Sequence, residues 1–196
     1  MLTLSLDKQP ITNDDLVAVA RHNAIAAFSP EGEARVEKTS ALIRKWVKEK
    51  RVIYGITTGF GAMCNVIISE KDTSQLQENI LMSHAAGVGK PLPQEVVRAV
   101  MALRMHDLSL GYSGCRMETI RYLLTFLNKG VTPVIPEKGS VGSSGDLAPT
   151  AHLGLVLIGR GEAEYNGKRL SGSEVLRQIG LEPLKLEGGE GLALIN

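Results

Sequence analysis

The segment GSVGSSGDLAP, residues 139–149, leads directly into an apolar run that extends from Leu147 to Ile158. Serine and glycine placed before such a run are typical of a tight loop that enters a buried helix. Because glycine has no Cβ, Gly145 can reach backbone conformations and close approaches that other residues resist. We therefore expect a sharply bent loop followed by a buried helix.

A Ser-Gly pair held in such a bend can undergo a cyclisation of the backbone. The amide nitrogen of Gly145 can attack the carbonyl carbon of Ser143, and loss of water, including the Ser144 hydroxyl, then leaves a five-membered ring with an exocyclic methylene. No ordinary side chain provides such an electrophile. The alternative interpretation is a helix-entry turn in which Ser143 or Ser144 caps the helix that begins at Leu147.

The longer run GSVGSSGDLAPTAH, residues 139–152, resembles the signature of the aromatic amino acid ammonia-lyases. Members of that family form their own cofactor, MIO (4-methylidene-imidazole-5-one), from three consecutive residues, which here are Ser143, Ser144 and Gly145. The family usually has Ala where this chain has Ser143, which gives only its carbonyl carbon to the ring. The resemblance covers the chain from about Asp14 onward and implies no external cofactor and no metal.

Tyr54 opens the run YGITTGFG, which resembles the family's YG-x-NTGFG loop, with Thr57 in place of the usual Asn. The resemblance implies that Tyr54 is the general base of the reaction. Removing a proton from the weakly acidic β-carbon of an amino acid requires a base that is held close to it. The alternative is a half-buried loop tyrosine whose hydroxyl is satisfied by the backbone.

Ser83 and His84 end the run LQENILMSH, which resembles the family's LQ-x-NLL-x-SHA-x-G segment. In the family these two positions contact the substrate side chain, and Ser-His accompanies histidine substrates, whereas Phe-Leu or His-Leu accompanies phenylalanine or tyrosine. An imidazole can exchange a directional hydrogen bond with another imidazole, which a benzene ring cannot. The alternative for His84 is a structural residue or a cation at a helix end.

Asn196 closes the run ALIN, and the resemblance implies that it contacts the MIO ring and the substrate. Asp146 can cap the following helix and hold the bend. His152 matches the DLAP-x-x-H part of the signature and is expected to buttress the loop. Arg104 lies in a run that resembles LR-x-N-x-L-x-x-GYSG, with His106 where Asn is usual, and is expected to serve structure.

The resemblance implies an enzyme, a carbon-nitrogen lyase that converts L-histidine to trans-urocanate and ammonia. Its partners would be the small-molecule amino acid substrate and further copies of itself, since the family's active sites are shared between the subunits of a homotetramer. Two alternatives stay open. One is a tyrosine or phenylalanine ammonia-lyase or aminomutase, and the other is a non-catalytic truncated homologue.

The last residues, 191–196, form the apolar run GLALIN, whereas domain ends are usually exposed and polar. Family members are also much longer than this chain. We therefore expect residues 1–196 to be the amino-terminal MIO-loop domain without the carboxy-terminal helical bundle, and to be inactive alone.

Composition limits the class of protein further. The chain has 196 residues, of which 43% are hydrophobic and 22% charged, as is typical of one globular domain. The net charge of +1 predicts no affinity for nucleic acid or anionic membranes, and the sequence shows neither a signal peptide nor a membrane-spanning run. Cys64 and Cys115 are too few for a disulfide framework, which predicts a cytoplasmic protein.

Apolar periodicity predicts a mainly α fold with irregular active-site loops and one small β hairpin. The hairpin is expected at 162–170, because Asn166-Gly167 is a strong turn signal. Irregular loops are expected at 51–68 and 180–189. The predicted helices cover 12–28, a stretch from Pro30 to the basic cluster at 44–51, and then 73–86, 91–110, 113–128, 147–159 and 172–179.

Overall fold

The computed structural model describes residues 2–8, 10–59 and 70–196, and it confirms a mainly α fold. The helices are α1 (Asn13–Arg21), α2 (Pro30–Lys48), α3 (Glu70–His84), α4 (Gln94–Ser109), α5 (Met117–Lys129), α6 (Leu147–Leu157), α7 (Gly172–Ile179) and α8 (Glu190–Ile195). The strands are β1 (Thr3–Ser5), β2 (Ile25–Ala27), β3 (Val88–Pro91), β4 (Thr132–Pro133), β5 (Pro136–Lys138), β6 (Glu162–Tyr165) and β7 (Lys168–Ser171).

The core is one continuous apolar cluster, to which α4, α5 and α6 contribute the fully buried Met101, Ile120 and Leu153. α1 and α5 pack against α4, while α3 packs against α6 and α8. The helix α6 is apolar nearly all round and buried, as predicted. At Gly154 it lies so close to α3 that an added Cβ would be 2.9 Å from Cδ2 of Leu81.

The predicted hairpin is confirmed as β6 and β7. Its turn residues, Asn166 and Gly167, both have left-handed backbones, with φ of 50° and 72°, as a tight two-residue hairpin turn requires. β4 adds a third strand that the sequence pattern did not predict, with Thr132 opposite Glu164.

The first helix begins where it was predicted to begin. Thr12 is its N-cap and forms a capping box with Asp15. The prediction that this helix continues to Phe28 is wrong, because α1 ends at Arg21 and Asn23 takes a left-handed φ of 52°.

Residues 25–27 instead form β2, which runs parallel to β1 with Thr3 opposite Ile25. Asn128 holds this strand from α5: the Ala26 amide donates to Asn128 Oδ1 at 2.9 Å, and Asn128 Nδ2 donates to the Ala26 carbonyl at 2.9 Å. These contacts supply the hydrogen bonds that a helix would otherwise give to the backbone of residues 25–27. Their partners lie far away in the sequence, so local periodicity could not predict them.

The other predicted helices are present. α7 has the predicted bounds, and α2 and α6 begin at the predicted residues, Pro30 and Leu147. α3 begins earlier than predicted, at Glu70, and α5 begins later, at Met117. α4 begins at Gln94, because Pro93 occupies its N-cap. The loop at 180–189 is confirmed.

The predicted irregular loop at 51–68 is confirmed only in its first part, residues 51–59. Its remainder, which includes Gly61 and Cys64, lies outside the described residues.

The sheet formed by β3 and β5 was not predicted. The two strands are antiparallel, with Val88 opposite Lys138 and Pro91 opposite Pro136. β3 follows the end of α3 and β5 precedes the loop at 139–146. The pairing therefore brings the end of α3 beside that loop.

Candidate functional site

The loop at 139–146 connects β5 to α6 and exposes both serines of the proposed ring, Ser143 and Ser144. Gly145 has a φ of 93°, a left-handed value that favours glycine over any residue with a Cβ. The start of the loop is packed closely, since a Cβ on Gly139 would lie 2.9 Å from Cα of Gly87.

The two ends of the loop are joined by a hydrogen bond from the Ser140 hydroxyl to the Asp146 carboxylate. Asp146 is the N-cap residue of α6, as predicted, but its side chain forms no capping hydrogen bond, and the alternative that Ser143 or Ser144 caps this helix is wrong. The carboxylate of Asp146 instead bonds back across the loop. It thereby holds the bend, which is the other role expected of it.

Asn196 lies against the loop at Gly145. Its Oδ1 is 3.5 Å from the position that a Cβ on Gly145 would occupy. Its backbone amide donates to the carbonyl of Leu192 at 3.0 Å, which continues the hydrogen bonding of α8. The structure thus places the carboxamide of Asn196 beside the nitrogen-contributing residue of the proposed ring.

Side chains on α6, α4 and α3 bond to the backbone of α8 and its C-cap. The hydroxyl of Thr150 on α6 lies 2.9 Å from the Ile195 carbonyl, and the Arg104 guanidinium on α4 donates to the carbonyls of Ala193 and Asn196. On the other side, Gln77 Oε1 accepts the Gly191 amide at 2.9 Å. Arg104 was expected to serve structure, and its hydrogen bonds fix the end of α8.

A cavity of about 270 Å³ lies between the Tyr54 loop and α8. Its lining residues come from three segments that are remote in sequence: Tyr54, Gly55, Ile56, Ser113, Gly189, Leu192, Ala193 and Asn196. The structure therefore brings Tyr54 and Asn196 to one cavity. Neither the ring residues 143–145 nor Ser83 and His84 line it.

Ser113 had not been assigned to the site from the sequence. It belongs to the GYSG run that was expected to serve structure, yet it lines the cavity with Tyr54 and Asn196. The signal that could have indicated this is a small polar residue in a loop segment between two glycines, Gly111 and Gly114, since binding residues often lie on loops.

The loop that carries Tyr54 is ordered by Thr57, which is buried. The Thr57 hydroxyl accepts the Ile53 amide at 2.9 Å and donates to the Arg51 carbonyl at 2.5 Å. The hydroxyl of Thr57 thus forms the hydrogen bonds that hold this turn, at the position where the family usually has Asn. Tyr54 itself is 58% exposed and lines the cavity.

Ser83 and His84 lie at the carboxyl end of α3. Nδ1 of His84 is 2.9 Å from the Ile80 carbonyl, which can only accept, so Nδ1 carries a proton. The Ser83 hydroxyl donates to the same carbonyl at 3.0 Å. No described residue bonds to Nε2, and in the neutral ring this nitrogen is a hydrogen-bond acceptor.

His152 connects this end of α3 to the loop. Its Nε2 accepts the Gly87 amide at 3.0 Å, and burial lowers its pKa, which favours the neutral ring that this bond requires. Gly87 in turn packs against Gly139 at the start of the loop. His152 therefore supports the loop through the turn that follows His84.

Within the described ranges, no group of three or more His, Cys, Asp and Glu side chains is arranged to hold a metal ion. Of the helices in the described part of the chain, none combines the length and apolar character needed to cross a membrane.

The family model for aromatic amino acid lyases matches residues 11–196. The chain therefore belongs to the aromatic amino acid lyase family. It is 52% identical over 193 residues to a histidine ammonia-lyase of Streptococcus gordonii, an alignment that covers 98% of this chain and 38% of the relative. It is 55% identical over 186 residues to the histidine ammonia-lyase of Symbiobacterium thermophilum, covering 95% of this chain and 37% of the relative.

Solved structures show the same fold. The histidine ammonia-lyase of Trypanosoma cruzi has a TM-score of 0.89 at 39% identity, covering 100% of this chain and 37% of that one. The phenylalanine aminomutase of Pantoea agglomerans has a TM-score of 0.92 at 35% identity, with 100% and 37% covered. The chain thus spans little more than a third of the length of these relatives.

Proposed function

We propose that this chain supplies the amino-terminal, ring-bearing part of an ammonia-lyase that converts L-histidine to trans-urocanate and ammonia. The observation that carries the proposal is the meeting of Gly145 with Asn196 at the edge of the cavity that Tyr54 lines. Three residues singled out by separate sequence motifs are there neighbours in space.

The residues at 143–145 fit an MIO ring. Gly145 already has the left-handed backbone that a tight bend requires, and the exposed Ser144 hydroxyl can leave as water. Ser143 is also exposed, so its extra hydroxyl has room outside the ring. When formed, the ring supplies an electrophilic methylene that can capture the substrate amine. The proposal includes no external cofactor and no metal.

The side chains around the cavity have distinct roles in this proposal. Tyr54 removes the β-proton of the substrate, since it lines the cavity and its loop is held by buried Thr57. Asn196 offers a carboxamide beside Gly145, where it can hydrogen-bond to the ring and the substrate.

His84 is the proposed specificity residue, together with Ser83. Because its Nδ1 proton is directed to Ile80, its Nε2 can accept the N–H of a substrate imidazole. A phenyl ring has no donor and would leave that acceptor unpaired, which discriminates strongly in a closed site. Histidine is therefore favoured over phenylalanine.

The rest of the site is proposed to come from outside these residues. Because the chain covers about 38% of its relatives, we place the carboxy-terminal bundle, and the other subunits of a homotetramer, over the open side of the cavity. The proposed compartment is the cytoplasm. In this arrangement residues 1–196 are the MIO-loop domain and are inactive alone.

The test is a substrate panel on the full-length enzyme, with urocanate followed by its ultraviolet absorbance and other products by chromatography. Histidine should be deaminated in preference to tyrosine and phenylalanine. His84→Leu should lower kcat/KM for histidine by about 10- to 100-fold, as expected for loss of one directional contact. The matched control is His22→Leu, because His22 is an exposed residue beyond the end of α1.

Three outcomes decide against the proposal. Equal or better turnover of tyrosine would assign the enzyme to the tyrosine and phenylalanine lyases. A β-amino acid product would indicate an aminomutase, and a full-length protein without any turnover would indicate a non-catalytic homologue.

A further inference from the structure

The short helix α8 carries Asn196 but has little stability of its own. It comprises only Glu190–Ile195, and its N-cap, Gly189, contributes no side-chain hydrogen bond. Isolated helices of this length are not stable in water, so tertiary contacts must hold α8 in place. The strongest of these contacts converge on its first residue.

Glu190 is a buried carboxylate, with a relative exposure of 1%. Its Oε1 accepts the Thr119 hydroxyl at 2.7 Å and the Arg116 amide at 2.9 Å. Its Oε2 accepts Nη2 of Arg116 at 2.8 Å and the Glu187 amide at 2.8 Å. Both oxygens are thus saturated by directed donors from the start of α5 and from the loop before α8.

Arg116 completes the cluster. Its Nη2 also donates to the Lys185 carbonyl at 2.6 Å. Burial alone would lower the pKa of Arg116, but the hydrogen bond and the negative charge of Glu190 raise it above its ordinary value. The guanidinium therefore stays charged and ties residues 185–190 to α5.

The segment anchored in this way touches both sides of the Tyr54 cavity. A Cβ on Gly188 would lie 3.0 Å from the Ile56 carbonyl, and one on Gly189 would lie 3.1 Å from Ile56 Cγ1. Ile56 belongs to the loop that carries Tyr54, while the opposite end of α8 carries Asn196. One anchored segment thus meets the loop of the proposed base and holds the carboxamide.

We propose that Glu190 is a positioning residue of the lyase site, which through its buried pair with Arg116 sets the placement of Asn196 relative to Tyr54. The proposal rests on the proposed function and adds to it a residue that does not touch the substrate. Buried ion pairs are often no more stabilising than apolar residues of the same shape. Orientation of α8 is the role that its directed hydrogen bonds indicate.

The experiment uses the full-length enzyme with Glu190→Gln. The amide has nearly the same shape, but it replaces one acceptor oxygen by a donor that faces the donors of Arg116 and Glu187. We expect kcat to fall by about 10- to 100-fold, since displacements near 1 Å have such effects. KM for histidine should change less than kcat, because the proposed contact to the substrate side chain, His84, lies on α3 and not on α8. Mass spectrometry should still show the ring.

The matched control is Glu118→Gln. Glu118 bonds to the same guanidinium, with its Oε2 2.7 Å from Arg116 Nη1, but its side chain is 55% exposed. This variant should retain the kcat of the parent, because a solvated partner contributes little to orientation.

A double-variant cycle tests whether Glu190 acts through Asn196. If it does, adding Glu190→Gln to Asn196→Ala should leave kcat within about a factor of two of the Asn196→Ala value. If the two fold-losses multiply, the proposal is overturned. Should Glu190→Gln fail to fold, Thr119→Val removes one donor to the same carboxylate and should lower kcat several-fold, and Thr119→Ser should restore it.

The remaining outcomes decide between failure of the positioning role and failure of the proposed function. An unchanged kcat in Glu190→Gln or Thr119→Val, or a variant that lacks the ring, overturns the positioning role. A parent enzyme without lyase activity refutes the proposed function instead, so the two failures are distinguishable.

Discussion

Ser143 and Ser144 have identical side chains, yet the proposed ring uses them differently. Ser143 contributes only its carbonyl carbon, whereas Ser144 must lose its hydroxyl and become the exocyclic methylene. Both are exposed in the loop, so burial does not distinguish them. The backbone of Gly145 distinguishes the two serines, because its left-handed conformation places the bend immediately after Ser144.

This asymmetry predicts opposite results for two matched substitutions in the full-length enzyme. Ser143→Ala should keep the ring and most activity, and Ser144→Ala should lose both. The measurement is the mass of the tryptic peptide 139–160, which should be lighter by two water molecules in the parent and in Ser143→Ala. An unmodified peptide from an active parent would exclude the electrophile and with it the proposed chemistry.

At the scale of elements, the turn between α3 and β3 is held by the bond from Gly87 to His152. Burial lowers the pKa of His152 below its ordinary 6.5, so as pH falls the unfolded chain binds this proton before the folded one. The stability that neutral His152 contributes is present above about pH 6.5 and is lost as the pH falls toward the lowered pKa of the folded protein. A protonated ring could not accept the Gly87 amide.

The prediction is that His152→Gln reduces the pH dependence of stability in this range. Glutamine offers an amide oxygen to Gly87 and does not titrate. Denaturant midpoints would be measured about one unit above and one unit below pH 6.5 for both proteins. The parent should lose more stability than the variant between the two conditions. Equal losses would show that this bond does not depend on the protonation of His152.

Elements that local patterns define were predicted well. Apolar spacing indicated the long helices, and Asn166-Gly167 indicated the hairpin of β6 and β7, because both signals lie within a few residues. The pairing of β1 with β2 was missed because it depends on remote partners. β2 in particular is held by Asn128, which lies 102 residues from Ala26.

The candidate site shows the same division between local motif and remote contact. The motifs singled out Tyr54, Gly145 and Asn196 one at a time, and the structure brings them along one cavity and its edge. No local pattern indicated that Glu190 would be buried against Arg116, since the partners are 74 residues apart. Its isolated position among glycines gave no periodic signal.

At the scale of the molecule, the proposed site is divided among segments that are far apart in sequence. In the proposal, the Tyr54 loop and α8 line the cavity and the loop at 139–146 supplies the ring beside Asn196. The helix α3 supplies Ser83 and His84, which lie outside the cavity lining. This arrangement leaves the site open. Tyr54 is 58% exposed, and the apolar side chains of Tyr112 and Val141 are 89% and 88% exposed. We expect the carboxy-terminal bundle of the full-length enzyme to cover these side chains.

Residues 1–196 alone are therefore expected to show no lyase activity above background, although they include Tyr54, the ring precursors and Asn196. Proton abstraction and amine capture need groups that are held rigidly and shielded from water, and an open cavity provides neither. The peptide 139–160 should also stay unmodified, because cyclisation requires a compressed bend that only a fully packed surrounding maintains. The measurement compares histidine turnover, peptide mass and sedimentation of this fragment with those of the full-length enzyme, and the fragment should associate through its exposed apolar side chains. A monomeric fragment with the turnover of the full-length enzyme would show that the site is complete within these residues and that neither the bundle nor neighbouring subunits contribute to it.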